Sequence, residues 1–245
     1  MSCIFKAIVV LPALAAALLS ALPAQAQVVT LTVIETVIET VEIGTADAVL
    51  DYALDDWTSD GDAPPAKDPQ ALPLAIFGPF RVTDAFTAEM YGTVGSATPS
   101  QFAAMRAAYP ELRALRMIEC PGSDDDEANL ALARMVRAAN IDTIVPAGGS
   151  VRSGAVELFL AGVHRQADSR AEFAVHSWRD DLGREANDLD DSDPVHREYL
   201  DFYRDMGLGD DVARRFYALS NSVPFDKALY LQPAQLAVMG LLSVI

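Results

Sequence analysis

From about Leu74 onward the chain alternates short apolar runs with amphipathic ones. IFGPFRVTD (from Ile76) and FTAEMYGTVG (from Phe86) read as two strands of a hairpin, with Asp84-Ala85 near the turn. TPSQFAAMRAAYPEL opens with a cap-like Thr98 and a proline at the first helical position, so a helix follows. RALRMIEC is a mostly buried strand that stops at Pro121-Gly122-Ser123. DDDEANLALARMVRAAN is a helix: acids crowd its first turn, arginines its later part, and Leu130, Ala133, Met135 and Val136 keep helical spacing. DTIVPAG is a strand, SGAVELFLAGVHR a helix and AEFAVHSW a strand. Strand–helix–strand–helix–strand at this spacing predicts an α/β fold with right-handed crossovers. The polar stretch from Arg179 to Leu219 predicts a loop and one or two amphipathic helices, with Tyr199, Phe202 and Tyr203 forming an apolar stripe.

The residues ahead of this domain have another character. Residues 1–26 have the layout of a secretory signal: Lys6, an apolar run from Ala7 to Leu22, and an Ala24-Gln25-Ala26 cleavage site. Pro12 interrupts the run, which is short for a membrane span. The expectation is export to the periplasm or beyond, with no membrane attachment once the signal is cleaved. Residues 27–73 combine a Thr-Val-Ile-Glu repeat of extended character with an acidic, proline-rich linker, and residues 74–245 form the domain.

Charge and cysteine content narrow the chemistry. A formal net charge of −17 repels nucleic acid and anionic lipid. Cleavage of the signal removes Cys3 and leaves Cys120 without a disulfide partner. Cys120 itself reads as a buried strand residue rather than a nucleophile. The three histidines lack metal-ligand spacing, so neither a metal nor another cofactor is expected. His164 and His196 stand in charged stretches and read as solvated.

Two strand-to-helix junctions remain, Pro121-Gly122-Ser123 and Ser153-Gly154. In open α/β sheets such junctions meet at the carboxyl edge of the strands. His176, at the end of its strand, reaches the same edge. A serine at a helix start, a neighbouring histidine and two sets of backbone N–H groups suit acyl transfer. The same residues also fit a helix cap and a structural histidine.

The order and spacing of these segments, from about Phe80 to Leu241, resemble the Clp protease proteolytic subunit and its relatives in the crotonase-like superfamily. IECPGSDDDEANLALARMV is similar to that family's strand, Pro-Gly-Gly turn and helix. VRSGAVELFLAG is similar to its nucleophile turn, AEFAVHSW to its histidine-bearing strand, and ALYLQPAQLAVMGLL to its terminal helix. The resemblance implies a crotonase-like α/β core with a helical insert before the terminal helix. It further implies a serine hydrolase, peptidase-like, with Ser153 as nucleophile and His176 as base. Gly122 and Gly154 become the oxyanion donors, with Ser123 in the place of the second glycine. The substrate becomes a peptide or small acyl compound and the protein a homo-oligomer, with the aromatic stripe and the Val-Ile arm as its apolar surfaces. The chain departs from the pattern at the third catalytic position, where Ala228 stands; Asp226, two residues earlier, is the candidate substitute. The competing expectation is a catalytically impaired relative acting as a periplasmic binding or assembly module.

Overall fold

The computed structural model describes residues 54–56 and 72–243. The signal, Cys3 and the Thr-Val-Ile-Glu repeat lie outside the described residues. The fold is mixed α/β, built on one ten-stranded sheet flanked by helices.

Ala75–Phe77 (β1 of the domain proper), Phe80–Val82 (β2) and Thr87–Tyr91 (β3) form an antiparallel meander. The stretch expected to be one strand is therefore two. Gly78, at φ +57°, and Pro79, which has no N–H, turn the chain between them. Helix α1 (Thr98–Ala108) carries the chain to β4 (Ala114–Cys120), which pairs parallel with β3. Thr98 is not the N-cap of that helix: Ala97 holds the position, and the Thr98 hydroxyl instead accepts from the Gly95 N–H at 3.0 Å. Helix α2 (Asp126–Ala138) follows, capped by Asp125, which accepts the Ala128 N–H at 2.9 Å.

Beyond α2 the sheet forks. The first half of β4 pairs with β5 (Asp142–Val145), and β5 pairs with β7 (Arg165–Ala167). The last residues of β4, Glu119 and Cys120, pair with β6 (Ser150–Arg152), and β6 pairs with β8 (Glu172–Val175). All four of these pairings are parallel. Strand β6 sits where the sequence suggested only a glycine-rich turn. Helix α3 (Gly154–Leu160) is shorter than expected, because Gly162 ends it and Arg165 already belongs to β7.

The polar insert folds as a loop followed by α4 (Pro194–Asp205) and α5 (Asp210–Ser220). Its aromatic stripe does not form an outer surface. Phe202 and Tyr203 are buried in the chain's own core, and Tyr199 packs against it, because spacings of three and four put them on the helix face turned toward α5. The last strand, β9 (Lys227–Leu231), pairs antiparallel with β8 and precedes α6 (Pro233–Val238). Tyr230-Leu231 thus belong to a strand, and the terminal helix opens at Pro233. On its other edge β9 pairs with a strand at Leu54–Asp56, β10 in this labelling, inside the stretch expected to be linker. Among the described residues no helix is long and apolar enough to cross a membrane.

Arg165, only 9% exposed, joins three carbonyls that close separate segments. Its Nε donates to Leu241 O at 2.7 Å, and Nη1 reaches Met206 O at 3.3 Å and Leu160 O at 3.4 Å. Leu160 ends α3 and Met206 ends α4, so the cation lies on the negative ends of two helix dipoles. Burial lowers the pKa of its guanidinium, and nearby Arg137 adds to the effect. Replacing Arg165 with leucine strands those carbonyls. The expected result is a loss of about 3 kcal/mol in stability, read as a lower urea midpoint with unchanged slope.

Candidate functional site

Three neighbouring parallel strands, in the order β8-β6-β4, end side by side. The residue after β6 is Ser153; His176 follows β8, and Pro121-Gly122 follow β4. Sheet register therefore places Ser153 between Gly122 and His176. The Ser153 N–H donates to Ala174 O at 2.9 Å, which ties the serine backbone to the histidine-bearing strand.

Ser153 is the N-cap residue of α3, with φ +50° and ψ −137°. Only one other non-glycine residue among those described, Asn140, has a positive φ. A side chain in this region of backbone space is strained by about 1–3 kcal/mol. The serine hydroxyl makes no capping hydrogen bond, so helix capping does not account for the residue. Gly122, at φ +141°, explains how the two loops fit. A Cβ built there would stand 2.9 Å from Ser153 Cβ and 3.3 Å from its Oγ. The neighbouring strand thus delivers bare backbone to the serine. Gly154 follows the same rule, since a Cβ there would run into the Ser123 side chain. The Ser123 hydroxyl donates to Asp126 Oδ1 at 2.6 Å. Gly154 is the first residue of α3, so its N–H has no acceptor within the helix.

Two contacts from described residues hold His176. Its Nδ1 lies 2.8 Å from Ser177 O. A carbonyl can only accept, so Nδ1 carries the hydrogen and the basic lone pair is on Nε2. Phe225 packs against the ring edge-to-face, with centroids 4.8 Å apart. Among the described residues no hydrogen bond joins His176 to the Ser153 hydroxyl, a separation common before substrate tightens a site. Among the described residues no hydrogen bond joins Asp226 to this histidine. That aspartate is exposed on the loop before β9 and absent from the cavity wall, while Ala228 is buried within the strand. Among the described residues the acceptor at Nδ1 is the Ser177 carbonyl.

Ser153 and His176 open onto a cavity of about 620 Å³. One wall comes from the insert: Tyr199 and Tyr203 line it, and Trp178 stacks on Tyr199 with centroids 5.9 Å apart and planes 4° apart. His196, expected to be solvated, is half-buried behind this wall, its Nδ1 2.7 Å from the Tyr217 hydroxyl. It lies three residues before Tyr199 and so shares the inward face of α4. His164 is exposed and pairs with Asp142 at 2.8 Å. Cys120 is a buried strand residue, as expected, and burial pushes its thiol pKa far up, out of nucleophilic range.

The sequence reading missed Glu157. It lies one helical turn after Ser153 on α3 and lines the same cavity. Burial pushes its carboxyl up to about 7, opposed by a hydrogen bond from the Tyr203 hydroxyl at 2.8 Å and reinforced by the Asp126 charge. An acid four residues after a helix-capping serine, amid buried neighbours, was the available signal. Among the described residues no group of three or more His, Cys, Asp or Glu side chains is arranged to hold a metal ion.

No family model matches the chain, and no curated protein matches it. Among solved structures it is similar to 1510-N, described as a membrane-bound stomatin-specific protease. A lysine-to-alanine variant of that protein in complex with a substrate peptide has a TM-score of 0.45 and 16% identity, over 65% of this chain and 73% of the other. A serine-to-alanine variant gives 0.46 and 15%, over 65% and 77%. The 1510-N protease specific for a stomatin homolog from Pyrococcus horikoshii gives 0.44 and 15%, over 65% and 71%.

Two stability measurements test this geometry. Ser153→Gly relieves the strained backbone, whereas Ser153→Ala keeps a Cβ in place. The glycine variant is expected to be about 1 kcal/mol more stable than the alanine variant in denaturant melts, despite glycine's greater unfolded-state entropy. Equal stability would show that the backbone relaxes without cost.

The second concerns Glu157. Its folded pKa lies above the unfolded value, so the native state retains a proton that the unfolded chain releases. Below the ordinary glutamate range the group does not bias folding. Stability then falls as pH rises toward 7, and the penalty is complete above it, on the order of 3 kcal/mol. Glu157→Gln removes the ionisation. Relative to wild type it is expected to gain stability at pH 8 and little at pH 4, read from paired urea melts.

Proposed function

We propose that this protein is a serine hydrolase of peptidase type, with a crotonase-like core related to the Clp protease proteolytic subunit. The observation that carries the reading is the strained, uncapped backbone of Ser153, held between Gly122 and the strand that ends at His176. Strain at a residue whose side chain makes no structural bond is usually kept for chemistry.

In this reaction the Ser153 hydroxyl attacks the carbonyl carbon of a peptide or small acyl substrate. His176 Nε2 takes the serine proton and passes it to the departing amine or alcohol. The carbonyl oxygen, now negative, receives hydrogen bonds from the Gly122 and Gly154 N–H groups. These donors act on charge that develops only in the transition state, so their effect falls on rate rather than on ground-state binding. Water then attacks the acyl-serine with His176 as base. The Ser177 carbonyl does part of what a triad carboxylate does, because it fixes the histidine tautomer. The protein is further proposed to be exported after cleavage near Ala26 and to act as a homo-oligomer.

The expected outcome is covalent labelling of Ser153 by a fluorophosphonate, mapped by mass spectrometry on the full chain. Ser153→Ala abolishes the adduct, and His176→Ala slows its formation about 10²-fold or more. Asp226→Ala leaves the rate unchanged, because that carboxylate lies outside the cavity. Absence of any adduct on folded wild-type protein would favour a binding module.

A further inference from the structure

The cavity contains more than the proposed reaction uses. Glu157, in the first turn of α3, and Ser153, the residue that precedes that helix, line the same cavity. Asn129, 2% exposed, lines the same cavity; its Nδ2 donates to Gly154 O at 2.6 Å, while its Oδ1 is buried with no hydrogen-bond partner. Ser220, 6% exposed, also lines the cavity, and its Oγ too is buried without a partner. Buried polar atoms of native proteins are nearly always bonded. A carboxylate and an amide oxygen both require donors, so the ligand that completes this wall brings hydrogen-bond donors.

Charge and shape narrow the choice further. The rim carries Asp124, Asp125, Asp126, Asp180 and Asp181, and among the described residues Arg179 is the one Lys or Arg that lines the cavity. Arg179 lies over the Phe225 ring, 3.8 Å from its centroid, rather than on these acids. The stacked Trp178–Tyr199 pair offers aromatic surface, which favours a cation. The whole chain, at −17, draws positive ligands toward it.

We infer that the cavity is a specificity pocket for a basic side chain, with Glu157 and Asn129 receiving the ammonium or guanidinium of a lysine or arginine next to the bond cleaved at Ser153. The assignment rests on the hydrolase reading for the cleaved bond, but the binding it describes does not require turnover. Glu157 is here a positioning residue for substrate. Tyr203 holds one of its oxygens, and the incoming cation supplies the charge that burial otherwise withholds.

The test uses full-length Ser153→Ala protein, which cannot turn over, and two capped tripeptide amides. One is acetyl-Ala-Ala-Lys-amide; the other replaces lysine with norleucine, which keeps the stem and removes the charge. Calorimetric titration is expected to show the lysine peptide binding about 10- to 100-fold more tightly. Adding Glu157→Gln is expected to bring the two peptides within a few-fold of each other, with melting curves confirming the fold. Equal affinity in the Ser153→Ala protein overturns the inference, as does a lysine preference that survives Glu157→Gln. Fluorophosphonate labelling of wild-type protein separates the two readings. A labelled Ser153 without lysine preference leaves the hydrolase standing and removes the pocket. Lysine preference without labelling leaves a cation-binding cavity and removes the hydrolase.

Discussion

The backbone of Ser153 is the constraint on which the site depends. Parallel pairing on both sides of β6 leaves the chain no freedom at its last residue: Cys120 and Val151 are in register on one side, Arg152 and Ala174 on the other. The chain must then turn at once into α3, and it does so with φ +50° at a residue that has a side chain. Glycine would make that turn with less strain. The neighbours are adapted to the serine rather than the reverse. Gly122 has no side chain where one would strike Ser153, and Gly154 leaves room for Ser123. Asn129 reaches across from α2 to hold the first carbonyl of α3.

The insert completes what the sheet begins. The sheet edge supplies the serine, histidine and backbone donors, but by itself it would be an open ledge. Helices α4 and α5 bring Tyr199, Tyr203 and Ser220 beside it, and the ledge becomes a walled, open cavity. These walls have an electrostatic consequence. Glu157 would be an ordinary surface carboxylate on a bare α3; with Tyr203 buried against it, its charged form loses solvation. The insert therefore sets the environment of the carboxylate. Arg165 binds this arrangement from below, where the carbonyls of Leu160 and Met206 share its guanidinium.

Much of this was legible in the sequence because local rules governed it. Pro99 in a first helical turn, the acids before α2, the apolar run of β4 and the β-branched run of β5 each carry a signal within a few residues. So did the two strand-to-helix junctions and the edge on which they meet. What could not be read locally was decided by register or by burial. Strand β6 is three residues long and exists because β4 and β8 flank it; nothing in Ser150–Arg152 announces a strand. Arg165 looks like the basic end of a helix until β5 claims it as a partner for Thr143. Asp226 was placed by counting back from a helix that in fact begins at Pro233, so the count started from the wrong element.

Glu157 was missed for a related reason. Sequence shows an acid in the first turn of a helix, where the dipole alone explains it. Only the tertiary fold shows that this acid faces inward, and that the tyrosine bonded to it comes from 46 residues further along the chain. Two costs therefore meet within one turn of α3: a strained serine backbone and a carboxylate held out of solvent. Packing alone demands neither, since a glycine at 153 and a glutamine at 157 would satisfy the same volume and the same Tyr203 hydroxyl. Unfavourable terms that share a cavity, and that smaller or neutral residues would relieve, are better explained by what enters the cavity than by what surrounds it.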